Sequence, residues 1–448
     1  MSQKSHSSST DRLDAWFRGM FIAGIFCLAY LAGASTVFFQ IFPYSILNKA
    51  FIGIEAQKTK WRSAKGAPRL GNFYAKAHAT TGVTRHVPEK TWPGYTFCTV
   101  ISSPKAVLLD MNGKMAHSWS LPFHKVWPEP KHIEHPVHQH NITFHQAHLL
   151  PNGDVLAVYE GYGDTPYGYG IAKIDLNSRL IWSFADYAHH DLNIGEDGDI
   201  YCLTQKYIDP PQSSGIELPI LAEYAVVLNS DGQEIDRISL YDALVQSRFD
   251  FPLENKTGDC LHANSIKYIT RKQAAVLPFA EPGDLLISFR ELNTLVILDP
   301  KSRNLRWAAQ QFWARQHDPD ILDTGDIILF DNRGLEKEGM FSRVLIYDPR
   351  KGDIVWQFRG TAEEPLYSEI RGCQQPLPNG NVLITVSDEG RMLEVTREKE
   401  IVWEYYSETE LVFNGVSYAP NLCSGQRFTA EELPFLQQLD AQKNSLNP

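Results

Sequence analysis

The fold is decided by a segment that recurs along the chain and is clearest in HANSIKYI (262–269) followed by PGDLLISFRELNTLVILDPKSRNLRW (282–307). The segment begins with a histidine, continues as an apolar strand, and turns at a Gly-Asp pair into a second strand. A third strand ends in Asp and a fourth ends in Trp. Short apolar runs between such turn signals are typical of antiparallel strands. The segment therefore predicts one four-stranded sheet.

Six copies of this pattern follow one another, at spacings of roughly 40 to 50 residues. They span residues 96–119, 145–184, 189–240, 262–307, 317–356 and 373–403. Repeats of this length with four strands each are typical of β-propeller blades. We therefore predict an all-β fold, a six-bladed β-propeller behind an N-terminal transmembrane helix. A seventh blade is the main alternative, if residues 70–100 hold a hidden copy.

Five of the copies end in tryptophan. We expect these side chains to pack between neighbouring blades, because a large aromatic ring buries much apolar surface at such a contact. They are Trp119, Trp182, Trp307, Trp356 and Trp403. The third copy ends in Ile238 instead and carries a long insertion from Tyr207 to Ala222.

An apolar run near the N-terminus, Met20 to Phe39, is long enough to cross a bilayer as a helix. Apolar residues continue beyond Ala32-Gly33-Ala34, which resembles a signal-peptide cleavage site, so we favour an uncleaved anchor. Basic residues are more frequent after the run than before it, which leans towards a cytoplasmic propeller. The predicted domains are a polar tail (1–18), the anchor (19–42), a lead-in (43–90), the propeller (91–430) and a C-terminal tail (431–448).

The formal net charge of −11 argues against nucleic acid as a partner. Six cysteines show no metal-binding spacing, and we expect no metal and no cofactor. The membrane is an expected partner through the N-terminal helix. Oligomeric state and disulfide pairing stay open.

The first strand of each blade lines the central channel of a propeller. Residues at the starts of the repeats should therefore meet at one mouth of the channel although they lie far apart in sequence. Histidine stands at four successive starts, which indicates a shared functional site. The histidines concerned are His145, His148, His189, His190, His262 and His317.

Two further residues sharpen this site. Asn264 lies two positions after His262, and strand alternation should place both on one face. Arg290 ends the second strand of the same repeat, in ISFR. A buried guanidinium group suits an oxyanion such as sulfate, phosphate or carboxylate. A structural ion pair with a neighbouring acid is the alternative for Arg290.

Several segments together resemble the bacterial arylsulfotransferase family, whose members transfer sulfuryl groups without the nucleotide donor PAPS. The resemblance covers most of residues 140–430, and its motifs occur in the family's order. The segments are HHD (189–191), DCLHANSIKY (259–268), LLISFRELNTLVILDP (285–300), QHDPDIL with LFDNRG (316–334), and LPNGNVLITVSDEGRMLEV (377–395). The resemblance implies six blades and a propeller on the extracytoplasmic (periplasmic) side.

The resemblance also implies roles for single residues. His317 matches the family's nucleophile, which becomes a sulfohistidine. Positions that surround the sulfuryl group are matched by His190, His262, Asn264 and Arg290. His189 is the less favoured member of its pair and is kept as a candidate substrate-binding residue. His145 and His148 are assigned to the rim of the mouth.

These assignments give a chemical hypothesis. Neutral His317 attacks the sulfur of an aryl sulfate, and His190 or His262 donates a proton to the departing phenolate. Which of those two histidines acts is open. A hydroxyl acceptor, phenolic or other, then receives the sulfuryl group, so the kinetics should be ping-pong. Donor and acceptor cannot be read from the sequence, because they depend on variable rim loops.

Two alternatives of other classes remain. The first is a non-catalytic propeller that serves as a binding module, since a fold alone does not imply a function. The second is a metal enzyme whose ion is held by histidines from several blades. Against the metal, Arg290 would oppose a dication, and the sequence shows no carboxylates around the histidines.

Overall fold

A computed structural model of the 448-residue chain describes residues 9–38, 73–209, 219–253, 258–333, 341–361 and 363–439. The chain separates into two compact units, residues 1–62 and residues 63–448. Within the described residues, the larger unit consists mainly of antiparallel sheets. All six cysteines are free thiols.

The N-terminal unit contains one long helix, Ser9–Phe38. Its segment Trp16–Thr36 is long and apolar enough to cross a membrane, with a mean hydropathy of 1.7. The segment contains no charged residue after Arg18, and none of its side chains is buried. Residues 39–42 of the predicted anchor lie outside the described part of the chain.

Within the described residues, the larger unit contains six antiparallel sheets of four or five strands. They are numbered 1 to 6 in the order in which their second strands occur along the chain, and the strands of each sheet are given from the first strand outwards. Sheet 1 consists of Leu422–Phe428, Tyr95–Val100, Lys105–Leu109 and Met115–Ser120, and sheet 2 consists of Ile142–Leu149, Val155–Gly161, Gly168–Ile174 and Leu180–Phe184. Sheet 3 consists of Ala188–Ile194, Ile200–Ile208, Ile220–Leu228 and Glu234–Ser239, and sheet 4 consists of Ala263–Tyr268, Leu285–Phe289, Thr294–Leu298 and Leu305–Gln310. Sheet 5 consists of His317–Ile321, Ile327–Asp331, Arg343–Asp348 and Asp353–Phe358, and sheet 6 consists of Cys373–Pro376, Val382–Val386, Arg391–Val395, Ile401–Tyr406 and Gly82–His86.

Smaller elements connect these sheets. A further three-stranded sheet pairs Tyr74–Lys76 with Val416–Pro420 and Leu411–Phe413. The short helices and 3₁₀ turns are Phe123–Val126, Gln139–Asn141, Leu240–Val245, Arg271–Ala274 and Ser387–Glu389.

The six sheets form a closed ring. The first strands of successive sheets contact one another, and the first strand of sheet 1, Leu422–Phe428, contacts that of sheet 2, Ile142–Leu149. Because Leu422–Phe428 comes from the C-terminal end of the chain, it closes the ring by pairing with Tyr95–Val100. Each pair of neighbouring sheets also shares one buried apolar cluster. The predicted all-β propeller is therefore confirmed.

The two strands of the N-terminal lead-in that the structure describes pair with strands from later in the chain, and they do not form a separate four-stranded sheet. Gly82–His86 pairs with the outer strand of sheet 6, and Tyr74–Lys76 pairs with the hairpin that follows that sheet. Because residues 39–72 lie outside the described part, the count of six blades and the domain bounds stay predictions. The predicted insertion of the third repeat is shorter than expected, since Ile200–Ile208 and Ile220–Leu228 extend into it as paired strands.

The tryptophans that end the repeats join neighbouring sheets, as predicted. Their indole nitrogens donate to backbone oxygens in turns of the next sheet: Trp119 to Gly153 (2.9 Å), Trp182 to Ser230 (3.1 Å), Trp356 to Arg397 (2.9 Å) and Trp403 to Met111 (3.0 Å). Trp307 instead packs against the cluster between sheets 4 and 5.

The first strands are irregular at the end where they begin. In five of the six sheets, a β-bulge interrupts the pairing of first and second strands near that end. Four residues at these positions have a left-handed backbone, namely His190, His262, Asp318 and Ser424. A bulge re-aims the side chains beside it and is common next to active sites. These strand starts surround the end of the channel that is called the mouth below.

The tryptophan contacts predict a graded loss of stability. Trp119 is fully buried, so Trp119→Ala should lower the free energy of unfolding by about 3–5 kcal/mol. Trp182 makes the same type of hydrogen bond but is partly exposed, so Trp182→Ala should cost about half as much or less. Denaturant unfolding of both variants in the same detergent measures the difference. Equal losses would contradict the packing described here.

Candidate active site

Two cavities lie at the mouth and share His145, His190 and Arg371 in their walls. The mouth cavity, of about 160 Å³, is also lined by Glu160, Tyr162, Tyr167, His262 and Arg290. The middle cavity, of about 40 Å³, lies deeper in the channel and is also lined by Asn264, His317, Asp318 and Cys373. Five of the six predicted site residues therefore meet here, although they come from three different sheets.

His317 begins the first strand of sheet 5 and is buried. Its Nδ1 lies 2.8 Å from Asn332 Oδ1 and 3.0 Å from the backbone oxygen of Arg315. Its Nε2 is buried and has no hydrogen-bond partner among the described residues. Burial and, next, the charge of Arg290 lower the pKa of His317 to about 3, so the imidazole is neutral near pH 7.

Asn332 determines which nitrogen of His317 carries the proton. The Asn332 Nδ2 donates to the backbone oxygens of Ser368 and Arg371, both at 2.7 Å. The amide oxygen therefore faces His317 and can only accept. Since both partners of Nδ1 are acceptors, Nδ1 carries the proton and Nε2 carries the lone pair. The site thus presents a neutral imidazole whose nucleophilic nitrogen is unoccupied.

Arg290 directly follows the second strand of sheet 4, and its backbone N–H donates to the backbone oxygen of His262 at 3.0 Å. Its Nε and Nη2 donate to Glu291 Oε1 at 3.0 and 2.7 Å. The ion pair with a neighbouring acid, which was the alternative to an anion site, is therefore present. Arg290 nevertheless lines the mouth cavity. Its guanidinium group can face a bound oxyanion while Glu291 holds it in place.

Arg371 is a second buried cation at the mouth, which the sequence did not reveal. It contacts the hydroxyl group of Tyr162, stacks over that ring at 5.0 Å, and lies 3.4 Å from Asp388. These contacts hold a positive charge in the wall of both cavities. Two arginines on one small opening favour an anionic ligand over a cationic one.

Each of three histidines at the mouth faces a carboxylate. His145 Nδ1 lies 2.9 Å from Glu160 Oε2, and His189 Nε2 lies 2.7 Å from Glu223 Oε2. His262 Nδ1 contacts Asp259 Oδ2. The interpretation that no carboxylates surround the histidines is therefore wrong. It failed because Glu160 and Glu223 lie on other strands of sheets 2 and 3, which a reading of the repeat starts does not include.

The histidines also contact one another. His189 Nδ1 lies 2.9 Å from His190 Nδ1, and His190 Nε2 lies 3.2 Å from His262 Nε2. Burial lowers the pKa of His190 and of His262 well below the usual value. For His189, the nearby carboxylates outweigh burial and raise the pKa. Because such groups titrate together, the cluster shares its protons rather than holding one on each ring.

Three predicted positions need correction. His262 and Asn264 line different cavities, because the left-handed backbone at His262 and the following bulge break the strand alternation. His189, the predicted substrate-binding residue, is fully buried, lines neither cavity at the mouth and lies 2.7 Å from Glu223. His145 is not at the rim but packs against His190, with ring centroids 4.8 Å apart.

His148, the other predicted rim residue, lies at the opposite end of the channel. It lines a cavity of about 380 Å³ at the far ends of the first strands, together with Lys267, Asp320 and Gln375. Burial lowers the pKa of His148 to about 4. His148 lies three residues after His145 on the strand Ile142–Leu149, and a rise of about 3.3 Å per residue carries it about 10 Å further along the channel.

Three residues of this cluster are close enough together to hold a metal ion. His145, Glu160 and His190 each place a donor atom within 4.8 Å of the others. We interpret these atoms as proton-sharing pairs and not as metal ligands, because the Nδ1 atoms of both histidines lie close to another ionisable group. His145 Nδ1 faces Glu160, and His190 Nδ1 faces His189. The nearby arginines would also oppose a dication.

Two of the missed residues, Glu160 and Asn332, share one signal that the sequence does contain. The end of a second strand returns to the mouth where the first strand begins, because the two strands are antiparallel. Arg290 was found at such an end, and the same rule places Glu160 in VYEG and Asn332 in LFDN at the mouth. Glu223 and Asp259 have no comparable signal, since one lies within a third strand and the other in a connecting loop.

The chain was compared with solved structures and with curated proteins. Among solved structures, a Bacteroides caccae protein of unknown function matches with a TM-score of 0.46 at 13% identity, covering 74% of this chain and 99% of its own. Virginiamycin B lyase from Staphylococcus aureus matches with a TM-score of 0.40 at 11% identity, covering 78% of this chain and 98% of its own. Likenesses this distant say nothing about activity. None of the curated proteins matches the chain.

The family model described as Arylsulfotransferase (ASST) matches residues 146–408, which is more than half of the chain. The matched region begins at the first strand of sheet 2 and ends just after sheet 6. It therefore contains His190, His262, Asn264, Arg290 and His317. The chain belongs to the arylsulfotransferase family.

Proposed function

We propose that this protein moves a sulfuryl group from an aryl sulfate ester to a hydroxyl acceptor, phenolic or other, through a covalent intermediate on His317. The observation that carries the proposal is the state of His317. Its Nε2 bears a lone pair, is buried beside the channel, and has no hydrogen-bond partner among the described residues. A non-catalytic binding module has no use for a nitrogen held in this way.

In the first half-reaction, His317 Nε2 attacks sulfur as the bond from sulfur to the aryl oxygen breaks. The electron pair of that bond goes to the aryl oxygen, which takes a proton from His190 or His262. Charge spreads over the peripheral sulfuryl oxygens, so positioned cations supply most of the stabilisation. Arg290 is the cation that we assign to this role, with Asn264 as a further contact to the sulfuryl group.

In the second half-reaction, the hydroxyl group of the acceptor attacks the sulfuryl group on His317. The same histidine that gave up its proton takes one from the acceptor, and the bond from Nε2 to sulfur breaks. His317 returns to its neutral form with the lone pair on Nε2. No external cofactor enters these steps, and the phenol leaves before the acceptor reacts, so the kinetics are ping-pong.

Replacement of His317 tests the proposal directly. His317→Ala should abolish sulfuryl transfer from an aryl sulfate to a phenol, because it removes the nitrogen that we propose carries the sulfuryl group. His148→Ala is the matched control, since it removes a first-strand histidine from the far end of the channel. It should keep ping-pong transfer. Initial rates in detergent measure both, and wild-type rates for His317→Ala would favour the binding-module alternative.

Asn332 should be required for the rate of transfer but not for donor binding. Asn332→Leu removes the acceptor that holds the His317 proton on Nδ1, so kcat should fall by about 100-fold with little change in the KM for the donor. Asn381→Leu is the matched control, because Asn381 is also buried but hydrogen-bonds Glu394 in sheet 6. A fall in kcat for Asn381→Leu of the same size would show that the loss comes from general unfolding.

We further propose that the N-terminal helix is an uncleaved anchor and that the propeller lies on the extracytoplasmic side. The apolar segment Trp16–Thr36 supports an anchor, and the extracytoplasmic placement rests on the resemblance to the arylsulfotransferase family. A reporter enzyme that is active only outside the cytoplasm, fused after Pro448, should be active in the membrane fraction. Activity of a cytoplasmic reporter at the same position would contradict this placement.

A further inference from the structure

A continuous line of proton-sharing atoms crosses the histidine cluster. It begins at Glu223 Oε2, which lies 2.7 Å from His189 Nε2. The other nitrogen of His189, Nδ1, lies 2.9 Å from His190 Nδ1, and His190 Nε2 lies 3.2 Å from His262 Nε2. His262 Nδ1 contacts Asp259 Oδ2 at the far end. Three imidazole rings thus lie between two carboxylates, and the contact of His189 Nε2 with Glu223 Oε2 is an ion-pair distance without hydrogen-bond geometry.

Only the middle of this line reaches the mouth cavity. His190 and His262 line it, so the contact between their Nε2 atoms is next to the cavity in which the proposed donor would bind. His189 and Glu223 are both completely buried behind His190. Burial raises the pKa of Glu223 to about 7 and that of Asp259 to about 6. The charge of His189 opposes this rise at Glu223 and favours its carboxylate form.

We propose that His189 and Glu223 form the proton reservoir of sulfuryl transfer and act on the substrate through His190. This inference rests on the proposed function, and it makes both residues positioning residues, because neither touches the substrate. It also explains why two histidines stand side by side at the start of sheet 3. In this proposal His190 exchanges a proton with the substrate, and His189 then supplies a proton to His190.

The proton balance is as follows. When the S–O bond breaks, the departing aryl oxygen takes the proton from Nε2 of His190. His189 passes its Nδ1 proton to His190 Nδ1, so His190 stays neutral and never becomes an imidazolate. His189 keeps its Nε2 proton, which faces the Glu223 carboxylate. When the acceptor hydroxyl attacks, its proton enters at His190 Nε2, and the Nδ1 proton returns to His189.

Other charges face the reservoir and set how firmly it holds a proton. Glu160 and Asp259 add negative charge near His189, and they join Glu223 in favouring its protonated form. Asp259 also acts on Glu223. On the substrate side, the charge of Arg290 disfavours a second positive charge on His190 or His262. The Tyr167 ring packs against all three histidines.

The test compares leaving groups. A phenolate of high pKa needs a proton as it departs, whereas a dinitrophenolate does not. In the full-length protein, Glu223→Gln should slow the release of an unsubstituted phenol from its sulfate by about 100-fold and leave release of dinitrophenol nearly unchanged. Glu394→Gln is the matched control, because Glu394 is also a fully buried glutamate on a third strand but pairs with Arg427. Glu394→Gln should change the rates of phenol release and dinitrophenol release by the same factor.

The outcomes separate this inference from the proposed function. Equal slowing of both leaving groups, or no slowing, in folded Glu223→Gln overturns the reservoir. If Glu223→Gln fails to fold, Glu223→Asp replaces it, and the same selective slowing, in smaller measure, is expected. His317→Ala is assayed in parallel. Phenol release from that variant would overturn the covalent mechanism, while the leaving-group pattern of Glu223→Gln would still decide the reservoir.

Discussion

The site depends on one backbone constraint, the left-handed residue and bulge where the first strands begin. An unbroken strand sends successive side chains to opposite faces, so two neighbouring residues could not both serve one site. At His190 and His262 the chain instead adopts a positive φ, which is unfavourable for a residue with a side chain. Each such residue costs about 1–3 kcal/mol, and the surrounding packing has to offset it. The six apolar clusters that close the ring provide that packing.

This constraint explains how a ring of repeats acquires chemistry. The first strands bring histidines to the mouth, and the antiparallel second strands return Glu160, Arg290 and Asn332 to the same level. Those residues set the charge and the proton position of the histidines they contact. The channel thereby holds both a neutral imidazole at His317 and a group of mutually contacting histidines around His190.

Much of the fold could be predicted because its signals are local and repeated. The turns and the alternating strands mark each sheet on its own, and tryptophans end five of the six repeats. The starts of the repeats likewise led to His190, His262 and His317. The residues that the sequence missed act through non-local contacts. Glu223 reaches His189 from a third strand, and Asn264 lost its expected face because a bulge broke the alternation.

The central claim is that His317 carries the sulfuryl group during transfer. The most direct measurement mixes the full-length protein with an aryl sulfate radiolabelled at sulfur, quenches in alkali without acceptor, and maps the label by proteolysis and mass spectrometry. The account predicts a sulfuryl adduct on His317, released when a phenol is added before the quench. Absence of label, or label that persists in His317→Ala, would contradict it.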